Sequence, residues 1–434
     1  MIMFLRGKAL TLCILTIVIG FNSCKRKEEE PKPVPKSNSE LANSQFIYDL
    51  MKSVYLWDDK LPVPFDVNAH ADAKSTLNAL LYKSLDRWSY LMDANEFDKL
   101  MKEGQYLSYG YFLDQDRTDG SIYVCYVYKG SPMAQAGVER GYLLQSLNGV
   151  DINTLIGNGS IYKQLDNPTN SFGFVDLDGN FKTLSISKGL VNINTVLHKE
   201  VINLADKKVG YLVFNSFLQT SEAELNEAFS FFSSNGVTEL VLDLRYNGGG
   251  SIAVAAHLAG LLAPEHGGKV FNKSTHNSQL ASWDSTYLIK QVAGGLPLQK
   301  LVVITSKYTA SASELIINGL RPYMDVKTLG GRTNGKPTGM YRFYSPDKKY
   351  AILPICFSGA NANGLGGYYN GLGVDSEKKD DISVSFGSEN EDCLAEALYY
   401  LRYNSFTGRN ARMDFTLSAP LIELKGLAAE AGCL

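Results

Sequence analysis

The feature that most constrains this chain is a strand–turn–helix unit that it spells out twice. Leu240-Val241-Leu242-Asp243-Leu244 is an apolar run closed by Asn247-Gly248-Gly249-Gly250, after which Ile252, Ala255, Ala256 and Ala259 recur on one helical face. Val302-Val303-Ile304 is followed by a polar turn and then by a helical pattern reaching Leu320. Strands that are apolar on both faces and alternate with helices build a mixed, layered α/β core. Upstream, Val209 to Phe214 is strand-like, and Ser221-Glu222-Ala223-Glu224 is expected to act as a capping box opening a helix through Phe232.

The second turn carries the chemistry. In Thr309-Ala310-Ser311-Ala312-Ser313-Glu314, Ser311 stands where strand gives way to helix. A hydroxyl there lies beside free backbone N–H groups that can hold an oxyanion. A serine nucleophile also needs a base within hydrogen-bond reach. Lys336, 25 residues on and flanked by Asn334-Gly335 and Pro337, is the candidate. An ordinary lysine is protonated at neutral pH, so Lys336 is expected to be buried, in a site without a nearby carboxylate. The Ala312 N–H is expected to form one side of an oxyanion hole. Gly249 or Gly250 is expected to form the other, since a turn without side chains permits close approach.

Thr-Ala-Ser-Ala-Ser-Glu, the lysine at that spacing and Asp243-Leu244-Arg245-Tyr246-Asn247-Gly248-Gly249-Gly250 together resemble the carboxyl-terminal processing (tail-specific) serine peptidases. The resemblance implies a serine-type endopeptidase with a Ser311–Lys336 dyad, a core spiral of ββα units similar to the crotonase and Clp protease folds, and no cofactor or metal. It favours Ser311 over Ser313, because the family's nucleophile is the first serine of Ser-Ala-Ser-Glu. Many bacterial members carry a glutamine four residues after the lysine; here Met340 stands there, and a thioether is a poor hydrogen-bond partner. A non-catalytic peptide- or apolar-ligand-binding lipoprotein on the same scaffold is the alternative.

The same resemblance organises the rest as a multidomain, mixed α/β chain. Residues 41–103 form an N-terminal helical region, with Leu77, Leu80, Leu81 and Leu85 at helical spacing and Asp86-Arg87-Trp88-Ser89-Tyr90 in a packing role. Residues 104–190 resemble a PDZ domain. Tyr109-Gly110-Tyr111-Phe112 is similar to its carboxylate-binding loop, Gly130-Ser131-Pro132 to its helix entry, and Asn148-Gly149 to its hairpin. Such a domain holds a chain-terminal carboxylate on loop N–H groups while the peptide adds a strand to the sheet edge. The expected partners are therefore polypeptides with a free C-terminus. Residues 191–401 form the peptidase core, in which Tyr369 to Asp375 resembles a family turn and Glu391 to Leu401 its closing helix. Residues 402–434 form a C-terminal tail.

The N-terminal residues 1–23 read as a secretory signal, with Arg6 and Lys8 before the apolar run Ala9 to Phe21. Phe21-Asn22-Ser23-Cys24 resembles a bacterial lipobox, which would make Cys24 the lipidated residue. Residues 24–40 are polar and proline-rich, a disordered tether. Lys27-Glu28-Glu29-Glu30 reads as a solvated charge run, and is also similar to the acidic signals that send some Bacteroidetes lipoproteins to the cell surface. The expected location is the cell envelope, lipid-anchored to a membrane and facing the periplasm or the cell surface of a Gram-negative bacterium. A net charge of −3 without a basic stripe excludes a nucleic-acid binder. The five histidines show no HExxH spacing, and the glycine turn lacks the Gly-Lys-Ser/Thr ending of a phosphate loop. Cys125 and Cys356 lie in apolar runs and are expected to be reduced core residues, while Cys393 and Cys433 are left open as a disulfide.

Overall fold

The two apolar runs become adjacent parallel strands, Glu239–Asp243 and Lys300–Thr305, at the centre of a six-stranded sheet. Its order is Val196–Leu204, Lys207–Phe214, Glu239–Asp243, Lys300–Thr305, Asp325–Gly330 and Ser376–Glu377; the first pair is antiparallel and the others parallel. This computed structural model describes residues 36–116, 120–204, 207–298 and 300–408. Both faces of the central strands are covered, which is why they lack polar alternation. Leu240, Leu242, Leu301 and Val303 face the helices Ser221–Ser234, Ile252–Leu262 and Ala312–Leu320. Val241, Val302 and Ile304 face the C-terminal helix Asp392–Tyr403. Because the two central strands run in parallel, the glycine turn after one and the serine turn after the other emerge at the same sheet edge.

The helix Ser221–Ser234 forms, but its capping box does not. Ser221 Oγ donates to the Ser216 carbonyl, and Glu224 reaches outward to accept the backbone N–H groups of Thr195 and Val196. The preceding turn takes the serine, and a tertiary contact takes the glutamate.

The N-terminal region begins earlier than the sequence indicates. The helix Asn38–Val54 is capped by Ser37, so residues 38–40 belong to it and not to a tether. The second helix, Ala73–Leu80, stops before Leu81 and Leu85. The chain instead turns into a strand, Tyr90–Asp93, which pairs antiparallel with Tyr350–Leu353 of the core. Cys24, the signal and most of the tether lie outside the described residues, as do Cys433 and most of the tail. Cys125, Cys356 and Cys393 are buried and free. Among the described residues no helix is long and apolar enough to cross a membrane.

Between these parts, residues 105–192 fold as a small lobe. Its neck is the ribbon of Gln105–Ser108 with Gly189–Asn192. Its body is an antiparallel sheet in the order Tyr111–Gln115, Ile122–Val127, Leu143–Leu147, Thr169–Val175 and Phe181–Ser187. Asn148 and Gly149, both at positive φ, turn the hairpin between Leu147 and Val150.

The lobe is fixed to the core by an ionic network centred on Arg245, whose side chain is 1% exposed. Arg245 pairs with Asp243, Asp380 and Glu391. Arg140 of the lobe pairs with Asp380 and donates to Tyr246 Oη and to the Cys125 and Val384 carbonyls. Glu391 also caps the closing helix by accepting the Leu394 N–H. Desolvation opposes the ionised form of Asp380, but the Arg140 and Arg245 guanidiniums prevail and hold it at about 2. A carboxyl depressed in the folded state stabilises the fold at pH values above its unfolded value and loses that contribution as pH falls through the folded one. The attachment of the lobe should therefore weaken between pH 3.8 and about 2, seen as loss of interdomain fluorescence energy transfer. Arg245→Met, which strands buried carboxylates, should cost about 3–5 kcal/mol in urea unfolding.

Candidate active site

Ser311 precedes the helix Ala312–Leu320 with φ 54° and ψ −115°, a left-handed backbone that a serine seldom adopts. The surroundings over-determine it. The Ala310 N–H donates to the Asn247 carbonyl, the Leu315 N–H to the Ser311 carbonyl, and the Ser311 N–H to Glu314 Oε2 at 3.0 Å. Ser313 Oγ donates to the Asn247 carbonyl and Thr309 Oγ1 to the Leu244 carbonyl. Both neighbouring hydroxyls are thus committed to structure, whereas Ser311 borders a cavity of about 370 Å³.

Lys336 borders the same cavity, as do Ala312 and Gly250. Its side chain is buried, with the residue 1% exposed. Gly249 sits directly behind the serine: a Cβ there would stand 2.7 Å from Ser311 Cβ and 3.0 Å from the Ala312 nitrogen. Of the two glycines expected to donate, Gly249 spends its N–H on Asn247 Oδ1 at 2.9 Å. The Gly250 N–H has no acceptor among the described residues, and Gly250 is the one that lines the cavity.

A residue that sequence reasoning passed over ties the two halves together. Glu314 is fully buried, and its carboxylate accepts four donors: the N–H groups of Ser311, Gly335 and Lys336, and Thr333 Oγ1. Burial raises its carboxyl above the ordinary value, against the pull of those hydrogen bonds. The expectation of a site without a nearby carboxylate is therefore corrected. Glu314 is close, but it is spent on backbone donors that fix where Ser311 and Lys336 sit. Its signal was the glutamate of Ser-Ala-Ser-Glu, read only as part of a motif.

Further groups hold the lysine loop from outside. Arg87 donates to the Asn334 carbonyl and Trp88 Nε1 to Asn334 Oδ1, while Asp86 gathers Tyr55 Oη, Ser89 Oγ and two backbone N–H groups beneath them. The packing role of this segment is thus a clamp on residues 331–337. From the other side, the Thr333 N–H donates to the Leu372 carbonyl and the Leu372 N–H to Thr333 Oγ1, so the 369–375 turn is its second support. Met340, expected to offer nothing, places Sδ 3.6 Å from Lys336 Nζ, within reach of a weak sulphur acceptor. His257 and His266 do not border the cavity; His257 bonds Asn226, and His266 lies beside Glu265.

The loop Tyr109-Gly110-Tyr111-Phe112 lies in the small lobe, apart from this cavity. The Gly110 carbonyl accepts from Tyr128 N–H and Ser131 Oγ, and its N–H donates to Ser108 Oγ. Tyr109 belongs to the core of the lobe, with Tyr111 packed against it. Phe112 points the other way and stacks on Tyr126 and edge-on to Tyr308, three residues before Ser311. Asp114 completes that contact by accepting from Tyr308 Oη and Lys307 Nζ.

This geometry can be set against known proteins. The family model for the Peptidase S41 N-terminal domain matches residues 42–90, and that for Peptidase family S41 matches residues 208–355. Over these residues the chain matches peptidase family S41. Among S41 relatives, the carboxy-terminal processing protease CtpA of Bacillus subtilis is 24% identical over 67% of this chain and 59% of its own length. The chloroplastic carboxyl-terminal-processing peptidase 3 of Arabidopsis thaliana is 22% identical over 64% of this chain and 56% of its own. The chain thus spans a little over half the length of the curated relatives it matches. Among solved structures, an S41-type protein from Bacteroides fragilis superposes with TM-score 0.67 at 24% identity, covering 87% of this chain and 100% of its own. The photosystem II D1 C-terminal processing protease does so with TM-score 0.50 at 19% identity, covering 79% and 94%. These likenesses establish the S41 fold.

Because Glu314 acts through four donors, Glu314→Gln should leave the protein folded while displacing both loops. A displacement on the order of 1 Å costs about 10²-fold in turnover. Peptide hydrolysis by the variant, compared with its circular dichroism, checks this.

Proposed function

We propose that this S41 chain is an exported serine endopeptidase that cleaves polypeptides near their C-termini. The observation that carries the reading is the shared cavity: a strained, half-buried serine and a buried lysine border one space, with their backbones pinned to a single carboxylate. Ser311 Oγ attacks the scissile carbonyl and Lys336 Nζ takes its proton. The oxyanion accepts the N–H groups of Ala312 and Gly250, each worth about 10²-fold or more in such sites. The proton passes to the leaving amine, and water then hydrolyses the acyl-enzyme by the same route. The core would be of the crotonase and Clp protease type.

Residues 104–190 act in this reading as a PDZ domain that captures the substrate's terminal residues. Tyr111–Gln115 is the first strand of its sheet, an edge to which an extended peptide can add. Tyr109 to Phe112 would receive the carboxylate. Lipidation at Cys24 would tether the enzyme to the envelope, which fits a protease acting on exported chains.

Purified mature protein should hydrolyse unstructured peptides, and Ser311→Ala or Lys336→Ala should each lower kcat by at least about 10³-fold with little change in KM. Undiminished hydrolysis by either variant rules out the dyad.

A further inference from the structure

The cavity has a polar floor that the dyad does not use. Asn272, in the strand Val270–His276, is 2% exposed, and its Oδ1 has no hydrogen-bond partner among the described residues. Thr338, which opens the strand Thr338–Met340, is 6% exposed, and its Oγ1 is likewise without a partner there. Both residues border the cavity that holds Ser311 and Lys336. Buried polar atoms in folded proteins are almost always paired, and an orphan is costly. Two in one cavity call for a group that enters it.

The local structure keeps their surroundings open. Ile355–Ala360 runs between the two strands, and Thr338 is registered opposite Ser358. The next residue, Gly359, donates its N–H to the Pro337 carbonyl. A Cβ on Gly359 would stand 2.8 Å from Asn272 Oδ1, so only glycine leaves that oxygen its space. Tyr287, the register partner of Asn272, also borders the cavity. The walls between floor and serine are apolar, including Leu315, Met340 and Phe357. One of the two charged side chains bordering the cavity, Arg342, lies 3.7 Å from Asp98 and over the Phe97 and Tyr344 rings. The other is Lys336.

We infer that Asn272 and Thr338 form a specificity subsite for an uncharged carboxamide side chain, glutamine or asparagine, next to the scissile bond. An apolar stem matches the walls. The two N–H donors of one carboxamide match two unpaired acceptors, and the Thr338 hydroxyl can turn to donate to its oxygen. An aliphatic residue would fill the walls yet leave both acceptors buried and unpaired, the situation that gives hydrogen-bonding pockets their selectivity. The inference deepens the endopeptidase reading and rests on it for the location of the scissile bond.

The test uses full-length Ser311→Ala protein, so that it reads binding without cleavage. The immobilised protein is exposed to a proteome-derived peptide library, and retained peptides are identified by mass spectrometry. Peptides containing glutamine or asparagine should be enriched about tenfold over counterparts with leucine or methionine at the matching position. Adding Asn272→Leu should abolish or reverse that preference, and Thr338→Val, which keeps the shape, should reduce it. Thermal unfolding of each variant confirms folding, and Thr338→Val carries the test if Asn272→Leu does not fold. An aliphatic preference, no enrichment, or an amide preference that survives both substitutions overturns the subsite; the last two are the outcomes expected if the floor holds only water. Failure of the dyad would appear elsewhere, as cleavage by the Ser311→Ala protein itself.

Discussion

The site depends on one buried carboxylate. Glu314 stands one turn inside the helix that Ser311 opens, and it collects N–H groups from the serine side and from the lysine side at once. Without it, residues 331–337 would lose a group that binds both their backbone and that of Ser311, and would be left to the Asn334 contacts and the 369–375 turn. Desolvating a carboxylate is unfavourable, and four donors are what make it tolerable. Because those donors come from two chain segments, satisfying the charge and assembling the site are a single event.

A second buried ionic cluster does for the domains what Glu314 does for Ser311 and Lys336. Arg245 lies two residues after the strand end at Asp243 and two before Asn247, whose carbonyl holds the serine turn. Its partners come from the strand end, from residues 380–391 and, through Asp380, from Arg140 in the small lobe. The segment that shapes the glycine turn is therefore also where the lobe and the closing helix are anchored. Ser306 Oγ donates to the Arg245 carbonyl, which adds the serine loop to the same assembly.

Much of this was legible in the sequence where local rules and tertiary demands agree. The unalternating runs at Leu240 and Val302 could only be covered strands, and Asn148-Gly149 could only be a tight hairpin. Ser311 and Lys336 could be singled out from the turn and their spacing, and the two border one cavity. Reading failed where distant partners claimed a side chain. Ser221 and Glu224 have capping-box spacing, yet the Thr195 and Val196 N–H groups claim the glutamate. Leu81 and Leu85 continue a helical period, but Leu81 is extended and the Tyr82 N–H donates to Tyr55 Oη of the first helix's end, so the helix stops at Leu80. Glu314 was legible only as part of the Ser-Ala-Ser-Glu motif, because its four donors converge only in three dimensions. Met340 looked inert because a thioether's usefulness depends on what stands 3.6 Å away.

The clamp on Asn334 has a bearing on how such a protein can be divided. Ser311 is held by residues of the core, but the loop that carries Lys336 leans on Arg87 and Trp88, which belong to the first hundred residues. A fragment starting downstream of that segment would inherit the hydroxyl with its strained backbone and forfeit one of the two hands steadying the amine. The segment between the amino-terminal helices and the strand Tyr90–Asp93 is thus less an appendage to the core than part of what holds Lys336 in place.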